Sequence, residues 1–494
     1  MRIREVGTGS GKKAIQVVSK RQGKVTVHKH IGSFGTDSER KALLERASRY
    51  IEESVGQSSL FDYLKSPRPQ AIKITESRPL FAYELLSNIY DKIGFNQYPD
   101  ELVKDLVIAR VFHPTSKRET QEILLDLFGR DYPLITIYRH LKVALKSGIK
   151  EKFHEALVQF AKTELSDSLR LVFYDVTTLY FESTVKAGLR APGFSKDNRP
   201  LETQIVVGLV VNQDGFPLYF DVFNGKTFEG HTFIPVIEKI RDFLGNPHFV
   251  VVADAAMISQ DNIQKLVEKN IGFIVGARTA NLPAVMIDSI SERLLGQDKK
   301  VITLPYRDHR LICEYSSERA SKDRSDRDKQ LTKAELALSN QNRLKTRLKF
   351  IKTSGNSYSL NTELLKKSQK LEGIKSYLTN TSLPAQEVVA RYRNLWKIEK
   401  AFRITKSDLQ ARPVFHRLDE TIKAHLLIVF AGLAISKFIE IRTGMSIHKA
   451  LKIAQKVLSH KVTNSMTGES DWISTTIEDP DLLLNINTLY SLGH

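Results

Sequence analysis

The sequence predicts an α/β protein in which helices cover a central mixed sheet. The first observation is the order of predicted elements between residues 169 and 276, which is strand, strand, strand, helix, strand, helix, strand. The second is Asp214-Gly215, a strong hairpin signal that lets the first three strands form an antiparallel meander. The third is that helices precede the later strands, which can therefore join the same sheet by crossovers.

Composition limits the class of protein and favours a polyanionic partner. The 494 residues are 41% hydrophobic and 26% charged, which excludes a disordered or fibrous chain. Lysine and arginine number 74 against 56 acidic residues, so the formal net charge is +18. Leu426 to Ile435, the longest apolar stretch, is too short for a spanning helix of roughly 20 residues, so no membrane partner is expected. The amino terminus has no signal region, and we expect a cytoplasmic protein that binds nucleic acid.

Changes in pattern along the chain predict seven regions. Alternating residues around Arg21-Gln22-Gly23 predict a basic hairpin, and the segment Ser66-Pro67-Arg68-Pro69 is typical of a linker. The predicted regions are the hairpin with a helix (1–54), the linker (55–79), a mainly helical DNA-binding region (80–165), the first part of the sheet-and-helix core (166–280), an inserted, partly β domain (281–384), the second part of the core (385–445) and a C-terminal tail with oligomerisation as a candidate role (446–494).

Two helices in the third region are candidates for reading DNA. A capping-box pattern, Ser116-Lys-Arg-Glu119, opens the first helix, which runs to about residue 127. The second helix, at about 136–147, carries Arg139, Lys142 and Lys146 on one face. The pair is similar to a helix-turn-helix, although an eight-residue connection is long for that motif. A solvated basic face is the alternative interpretation.

Two acidic residues follow apolar strands in the predicted core. Asp175 follows Leu-Val-Phe-Tyr, and Asp254 follows Val-Val-Val-Ala. Open sheets bind ligands at the carboxyl ends of strands. One such acid is more often a cap or a turn residue, whereas two on successive core strands favour a functional site.

A third acid lies on the predicted helix 385–406. Tyr392, Glu399 and Lys406 are seven residues apart and therefore share a face, and Arg403 is one turn from Glu399 on that face. This stripe could be a row of surface ion pairs, or a metal-binding carboxylate with phosphate-binding neighbours.

A basic segment in the inserted region predicts a second surface for DNA. Arg343, Lys345, Arg347 and Lys349 alternate with mainly apolar residues, and a period of two would place all four on one face of a strand. The alternatives are an exposed edge strand whose charges prevent aggregation, and a helix that scatters the charges.

Four segments together resemble one known family. They are Phe-Tyr-Asp-Val-Thr-Thr-Leu-Tyr-Phe-Glu-Ser (173–183), Val-Val-Ala-Asp (251–254), Gly-Phe-Ile-Val-Gly-Ala-Arg (272–278) and Trp-Lys-Ile-Glu-Lys-Ala-Phe-Arg-Ile-Thr-Lys-Ser-Asp-Leu (396–409). In this order they are similar to the DDE-type transposases of bacterial insertion sequences, in the group with a Tyr-Arg-Glu-Lys signature around the third carboxylate. The resemblance covers essentially the whole chain.

The resemblance implies an RNase H-like core that cleaves and joins DNA strands. It implies that Asp175, Asp254 and Glu399 are catalytic and bind two Mg²⁺ or Mn²⁺ ions, that Tyr392, Arg403 and Lys406 contact DNA, and that the partners are the transposon ends and target DNA. It also implies a homodimer in the DNA-bound synaptic complex. A catalytically inactive DNA-binding derivative and an RNase H-like nuclease are the alternatives.

The sequence departs from the family pattern at three places, of which the mildest is Ala256, where a glycine is common two residues after Asp254. The arginine of the signature, three residues after its tyrosine, is replaced by Leu395, and Arg391 and Arg393 are expected to point away from that face. The inserted region also has no tryptophan, because the chain has only Trp396 and Trp472. Some relatives stack a flipped base on such a tryptophan, so the hairpin pathway is left open here.

Overall fold

The fold is described by a computed structural model of residues 1–494. The description covers all residues except 10, 22–23, 56–71, 166, 168, 197–198, 200, 246–247, 258, 295, 340–347, 355–356, 466, 476 and 494. The chain forms two compact units. The first comprises residues 1–76 and 460–473, and the second comprises residues 77–459 and 474–494.

Helices and strands follow one another in mixed order along the whole chain. The first half contains β1 (Arg2–Gly7), β2 (Lys13–Arg21), β3 (Lys24–Phe34), α1 (Asp37–Val55), β4 (Ile72–Arg78), α2 (Leu80–Ile93), α3 (Glu101–Phe112), α4 (Lys117–Phe128), α5 (Leu134–Lys146), α6 (Ile149–Thr163), β5 (Leu171–Tyr180), β6 (Gln204–Val211), β7 (Pro217–Asn224), α7 (Glu229–Leu244) and β8 (Val250–Ala253). The second half contains α8 (Gln260–Glu268), β9 (Gly272–Ala277), α9 (Ala284–Leu294), β10 (Val301–Tyr306), β11 (His309–Tyr315), α10 (Ser317–Ser339), β12 (Ile351–Ser354), β13 (Ser357–Leu360), α11 (Thr362–Lys370), β14 (Ile374–Thr379), α12 (Ala385–Arg393), α13 (Trp396–Arg403), α14 (Asp419–Thr443), α15 (Ile447–Ala454), β15 (Ser459–Asn464), β16 (Ser470–Ser474) and α16 (Pro480–Gly493).

The first unit contains the predicted basic hairpin. Strands β2 and β3 pair antiparallel, and β1 adds a third strand. Helix α1 packs on this sheet through Ile15, Val17, Phe34 and Ala47. A second three-stranded sheet has the order β16-β15-β4.

The predicted linker 55–79 is wrong at its C-terminal end, where β4 forms. The Thr75 hydroxyl donates a hydrogen bond to the Lys461 carbonyl at 3.2 Å, so the partner strand comes from the far end of the chain. A pattern within a short window cannot reveal such a distant partner. Residues 56–71 of the predicted linker lie outside the described residues.

The second unit is built on an eight-stranded mixed sheet with the order β10-β11-β14-β9-β8-β5-β6-β7. Strands β5, β6 and β7 form the predicted antiparallel meander. Strand β8 runs parallel to β5, and β9 runs parallel to β8. Helices α7 and α8 precede β8 and β9, which confirms the predicted crossovers and an α/β fold with a large mixed sheet.

The inserted region differs from the separate domain that the sequence predicts. Strand β14 pairs antiparallel with β9, and β11 and β10 continue the same sheet. Hydrogen bonding to the exposed edge of β9 explains why these strands join the core sheet. Strands β12 and β13 form a small sheet of their own.

The helices between residues 80 and 163, within the predicted helical region 80–165, belong to the same compact unit as the sheet. Helices α3 and α5 pack against α14, and α6 packs against β7. One continuous apolar core includes Ala82 near the start of these helices and Leu492 near the C terminus. Apolar burial therefore joins the helices to the sheet.

Helix α14 is the central helix of this core. It is 25 residues long, and by length and composition it is the one helix among the described residues that could cross a membrane. However, 89% of its most apolar window is buried inside the fold. A buried core helix accounts for the same composition.

Candidate active site

The sheet places two of the predicted catalytic acids side by side. Tyr174 of β5 is in register with Ala253 of the parallel strand β8, so the next residues, Asp175 and Asp254, are neighbours. Asp254 directly follows β8, as predicted. Asp175 lies within β5 rather than at its end, because the strand continues through Thr177 to Tyr180 and pairs with β6.

The third predicted acid reaches the same place from a helix. Glu399 lies in the first turn of α13 and, with Asp175 and Asp254, lines a cavity of about 650 Å³. Tyr392 and the half-exposed Trp396 also line this cavity. We call it the acidic pocket. It brings together residues from the first and last parts of the core.

Burial changes the chemistry of Asp175. Removal from water is the main cause that raises its pKa to about 6, and the charges of Asp254 and Glu229 act in the same direction. Lys196 opposes this shift, with its Nζ 4.0 Å from Asp175 Oδ1 and 3.0 Å from Glu229 Oε1. The Lys196 ammonium also donates a hydrogen bond to the Val176 carbonyl at 2.7 Å. Lys196 therefore supplies positive charge beside Asp175.

Asp254 is oriented by two hydrogen-bond donors. Its Oδ1 accepts from the Ala255 N–H at 2.6 Å and from the Tyr392 hydroxyl at 3.1 Å. Burial, followed by the charge of Asp254, raises the pKa of Tyr392 above its ordinary value, so this hydroxyl keeps its proton. Gly276 of β9 leaves room for the tyrosine, because a Cβ there would lie 2.5 Å from its hydroxyl oxygen.

Positively charged side chains also line the pocket. They are Arg278, Arg319, Lys375 and Arg393. Arg393 donates a hydrogen bond of 2.5 Å to Glu314, a buried residue that also accepts one from the Tyr377 hydroxyl. This buried acid fixes the position of Arg393.

The expectation that Arg393 points away from the site is therefore wrong. The predicted helix 385–406 is interrupted at Asn394 and Leu395, which separate α12 from α13. Arg393 lines the pocket, whereas Arg391 donates to Glu387 on its own helix. Leu395, at the position of the signature arginine, is buried and lines the pocket.

The sequence predicts that Tyr392, Glu399, Arg403 and Lys406 share one helix face, and only the first two of them line the pocket. Tyr392 and Glu399 line the pocket, whereas Arg403 and Lys406 are not among its described lining residues. Helix α13 ends at Arg403, and a π-helical turn follows at Ile404–Asp408. A wider turn changes the rotation per residue, so seven-residue spacing no longer keeps side chains on one face.

The other predicted DNA contacts lie elsewhere. Arg139, Lys142 and Lys146 are on α5, and Lys146 is 3.7 Å from Glu420 in an exposed ion pair. The connection from α4 to α5 has five residues, 129–133, rather than eight, because α4 extends to Phe128 and α5 begins at Leu134.

The predicted basic strand is described only at its end. Arg343, Lys345 and Arg347 lie outside the described residues. Lys349 lies in a turn and β12 begins only at Ile351, so the predicted strand is wrong at this position. The Lys349 ammonium lies 5.3 Å from the centre of the Phe350 ring, a contact that favours the turn over an extended backbone.

Sequence patterns missed several groups around the pocket. Lys196, Arg319 and Lys375 had no recognisable motif, whereas Arg278 closes the segment 272–278 and could have been noticed there. These cations come from segments far apart in the chain. Their proximity depends on sheet topology rather than on local spacing.

The donor set fits a hard divalent cation that also binds substrate. Within the described part of the chain, no three His, Cys, Asp or Glu side chains are close enough to form a complete metal site. Mg²⁺ commonly takes one or two carboxylates and completes its coordination with water and phosphate oxygens. Asp175 and Asp254 fit this pattern, because they follow paired positions of two parallel strands and line the same cavity.

The geometry of the acidic pocket and the comparison with known proteins indicate the same class of protein. An α/β fold in which neighbouring carboxylates share a cavity with four arginine and lysine side chains defines a candidate phosphate-handling site. The family model of the transposase DDE domain matches residues 167–435, which is more than half of the 494-residue chain. The protein belongs to this family.

The fold is similar to a piggyBac transposase in a cryo-EM structure of its synaptic complex with hairpin DNA, with 9% sequence identity and a TM-score of 0.40. That similarity covers 76% of this chain and 79% of the other. A search of curated proteins found no match.

Proposed function

We propose that the protein is the transposase of a bacterial insertion sequence. It binds the terminal inverted repeats of its element, cleaves the DNA there and joins the ends to target DNA. The observation that carries this proposal is the pocket in which Asp175, Asp254 and Glu399 face arginine and lysine side chains. Membership of the DDE transposase family supports it. The sheet is the core of an RNase H-like domain in this proposal.

The three acids would hold two Mg²⁺ or Mn²⁺ ions together with the substrate phosphate. When bound, such ions supply activation of water or a 3′-hydroxyl and stabilisation of the leaving oxygen. Carboxylates suit this task because these ions prefer hard oxygen ligands. The Tyr-Arg-Glu-Lys group remains the proposed subgroup, with Leu395 replacing its arginine.

The protein's own side chains position the acids and the DNA. Tyr392 and the Ala255 N–H orient Asp254 through their hydrogen bonds. Lys196 lies beside Asp175 and limits the repulsion between carboxylates. The four cations of the pocket bind backbone phosphates, and Arg393 takes over the contact that Leu395 does not make.

Other basic surfaces extend the DNA contacts in this proposal. They are the amino-terminal hairpin, the face of α5 with Arg139, Lys142 and Lys146, and the basic segment Arg343–Lys349. Arg403 and Lys406 bind DNA that leaves the pocket. The active form is a homodimer on paired ends, in the cytoplasm. Inverted repeats on either side of the gene would support this proposal against an RNase H-like nuclease.

An inactive DNA-binding derivative is the second candidate function. Retention of all three acids in one pocket argues against it, because selection for DNA binding alone does not preserve mutually repelling carboxylates.

The test is cleavage of a duplex that carries the element's own end. We expect cleavage by the full-length protein with Mg²⁺ or Mn²⁺ and none with EDTA. Asp175→Asn, Asp254→Asn and Glu399→Gln should each reduce it at least about a thousandfold. Glu387→Gln, on α12 but outside the pocket lining, is the control. Near-normal cleavage by any acid variant would show that its residue is not catalytic.

Calorimetry provides a second measurement. Asp175→Asn and Asp254→Asn should weaken Mn²⁺ binding, whereas the control should not. An inactive derivative is identified if the parent binds an end-containing duplex yet does not cleave it with either metal.

A further inference from the structure

A cluster of basic side chains, three of them buried and one partly buried, lies in the second unit, apart from the acidic pocket. It comprises Arg110 of α3, Lys117 at the start of α4, His425 of α14 and His416, which precedes α14. Arg110, Lys117 and His425 are 4%, 4% and 5% exposed. The rings of His416 and His425 have centres 5.1 Å apart. We call these four residues the basic cluster.

Several polar atoms of the basic cluster lack hydrogen-bond partners. Among the described residues, Arg110 Nε, Lys117 Nζ and His425 Nδ1 are buried without one. His425 Nε2 lies 3.3 Å from the Ala411 carbonyl oxygen. A buried polar group without a partner costs about 1–3 kcal/mol, and more when it carries charge. Three such atoms in one place require an explanation other than packing.

The charges of the cluster act on one another in the same unfavourable direction. Burial and the charge of Arg110 lower the pKa of Lys117, and burial followed by Lys117 and Arg110 lowers the pKa of His416 to about 4. The same neighbours lower the pKa of His425. Within the described structure, the charged groups acting on these side chains are members of the cluster itself. An anion would reverse this balance.

The start of α4 adds donors suited to an anion. The helix has 12 residues, and Lys117 is its first residue, after the N-cap Ser116. Backbone N–H groups at a helix start carry partial positive charge and commonly bind phosphate. The buried, unpartnered ammonium of Lys117 lies at this same helix start. Two independent features therefore favour one kind of ligand.

The surface next to the cluster is also basic. Arg118 follows Lys117, and Arg417 follows His416, and both are exposed. The aromatic Phe415 beside them is 69% exposed. Exposed arginines next to the basic cluster suit a ligand with several phosphates better than a single small ion.

We propose that Arg110, Lys117, His416 and His425 form a second phosphate-binding site, which holds a backbone phosphate of bound DNA. Its DNA part rests on the proposed transposase function. Inorganic phosphate is the other possible source of the same group, and the experiment below separates the two. This site would anchor DNA on α3, α4 and α14, away from the acidic pocket.

The first experiment measures thermal unfolding of the full-length protein in EDTA, with and without inorganic phosphate. Saturating phosphate should raise the Tm of the parent by about 2 °C or more, because it binds only the folded state. Lys117→Met should raise the Tm without phosphate and remove most of the phosphate response. Chloride at the same ionic strength controls for screening.

Lys437→Met is the matched control variant. Lys437 is also buried, at 3% exposed, but its Nζ lies 3.1 Å from Glu440. Its replacement should lower the Tm and keep the phosphate response. His416→Gln is the second test variant if Lys117→Met does not fold, and it should reduce the phosphate response. An equal response in parent and test variants would mean an adventitious ion only and would overturn the proposal.

The second experiment identifies the source of the phosphate. Binding of a fluorescent DNA duplex of random sequence is measured in EDTA at several salt concentrations. If the ligand is DNA, Lys117→Met should weaken binding and lower the salt slope by about 0.9. A normal Tm response to phosphate with unchanged DNA binding would mean that free phosphate is the ligand, and the DNA part would be wrong.

The two proposals fail independently. Asp175→Asn should abolish cleavage and leave the phosphate response intact. If the parent does not cleave DNA but shows the Lys117-dependent response, the proposed catalytic function is wrong and the phosphate site is supported. If it cleaves DNA without that response, the catalytic proposal stands and the phosphate site is wrong.

Discussion

The acidic pocket and the basic cluster are two concentrations of like charge in the same unit, and they differ in how those charges are compensated. In the pocket, Asp254 accepts two hydrogen bonds, and the buried Glu314 behind its wall accepts one each from Arg393 and Tyr377. In the cluster, Lys117 Nζ and Arg110 Nε have no partner among the described residues. Removing a charge should therefore cost stability where a partner exists and increase stability where none exists.

We expect the largest loss of stability when Glu314, which holds Arg393 in the wall of the pocket, is replaced. Glu314→Gln removes the negative charge and one of the two acceptor oxygens, so Arg393 and Tyr377 no longer each have an oxygen, and we expect a loss of about 2–3 kcal/mol in the free energy of unfolding. Denaturant unfolding measures this value. Glu387→Gln removes a half-exposed pair on α12 and should cost less than about 1 kcal/mol. Equal losses would show that burial of the acceptor contributes little.

The next largest loss of stability is expected at the close approach of Gly276 and Tyr392. Gly276→Ala introduces a Cβ 2.5 Å from the tyrosine oxygen, so we expect a loss of about 1–3 kcal/mol. In a Tyr392→Phe background the same change should cost less, because that oxygen is gone. A double-mutant cycle by denaturant unfolding measures this difference. Equal costs in both backgrounds would place the strain against another neighbour, such as Ala255.

The basic cluster predicts a pH effect of intermediate size. His416 has a pKa lowered to about 4, by burial and by Lys117 and Arg110, whereas the unfolded chain titrates near 6.5. Below pH 6.5 the unfolded state binds more protons, so stability falls as the pH drops toward 4 in phosphate-free buffer. The slope is up to about 1.4 kcal/mol per pH unit for each such histidine. His416→Gln should make the profile flatter, and an unchanged profile would exclude this origin.

The exposed cations of α5 should have the smallest effect on stability. Replacing Arg139, Lys142 and Lys146 with Gln removes the exposed pair with Glu420, and unfolding should change by less than about 1 kcal/mol. DNA binding should weaken, and its salt slope should fall by up to about 2.7. Anisotropy at several salt concentrations measures the slope. An unchanged slope would remove α5 from the DNA interface.

Local sequence patterns predicted the structure correctly where contacts between near neighbours in the chain determine it. The turn Asp214-Gly215 and the apolar segments around it predicted the β5-β6-β7 meander, because pairing there depends on neighbours in the chain. The position of Asp254 after a buried strand was likewise readable. The family resemblance brought Glu399 into the same site before any geometry was known.

Local sequence patterns gave wrong predictions where strand pairing between distant residues, or a change in helical periodicity, determines the structure. Strand β14 joins β9 across about 100 residues, so the inserted region could not be recognised as part of the sheet. Arg393 lines the pocket from the last residue of α12, and the π-helical turn interrupts the seven-residue spacing between Glu399 and Lys406. The basic cluster was not anticipated, because its members belong to three helices and a connecting segment.

The long-range pairing of β9 with β14 also affects how the protein acquires its shape. Asp254 and Tyr392 meet across 138 positions of the chain, and β9 pairs with β14 across about 100. Contacts so distant in sequence form slowly, because a large loop must close before they stabilise anything. During synthesis, β5 to β8 emerge long before the helix that carries Glu399. Activity should therefore appear only after the last third of the chain has been made and has folded, later than helical structure in the same refolding reaction.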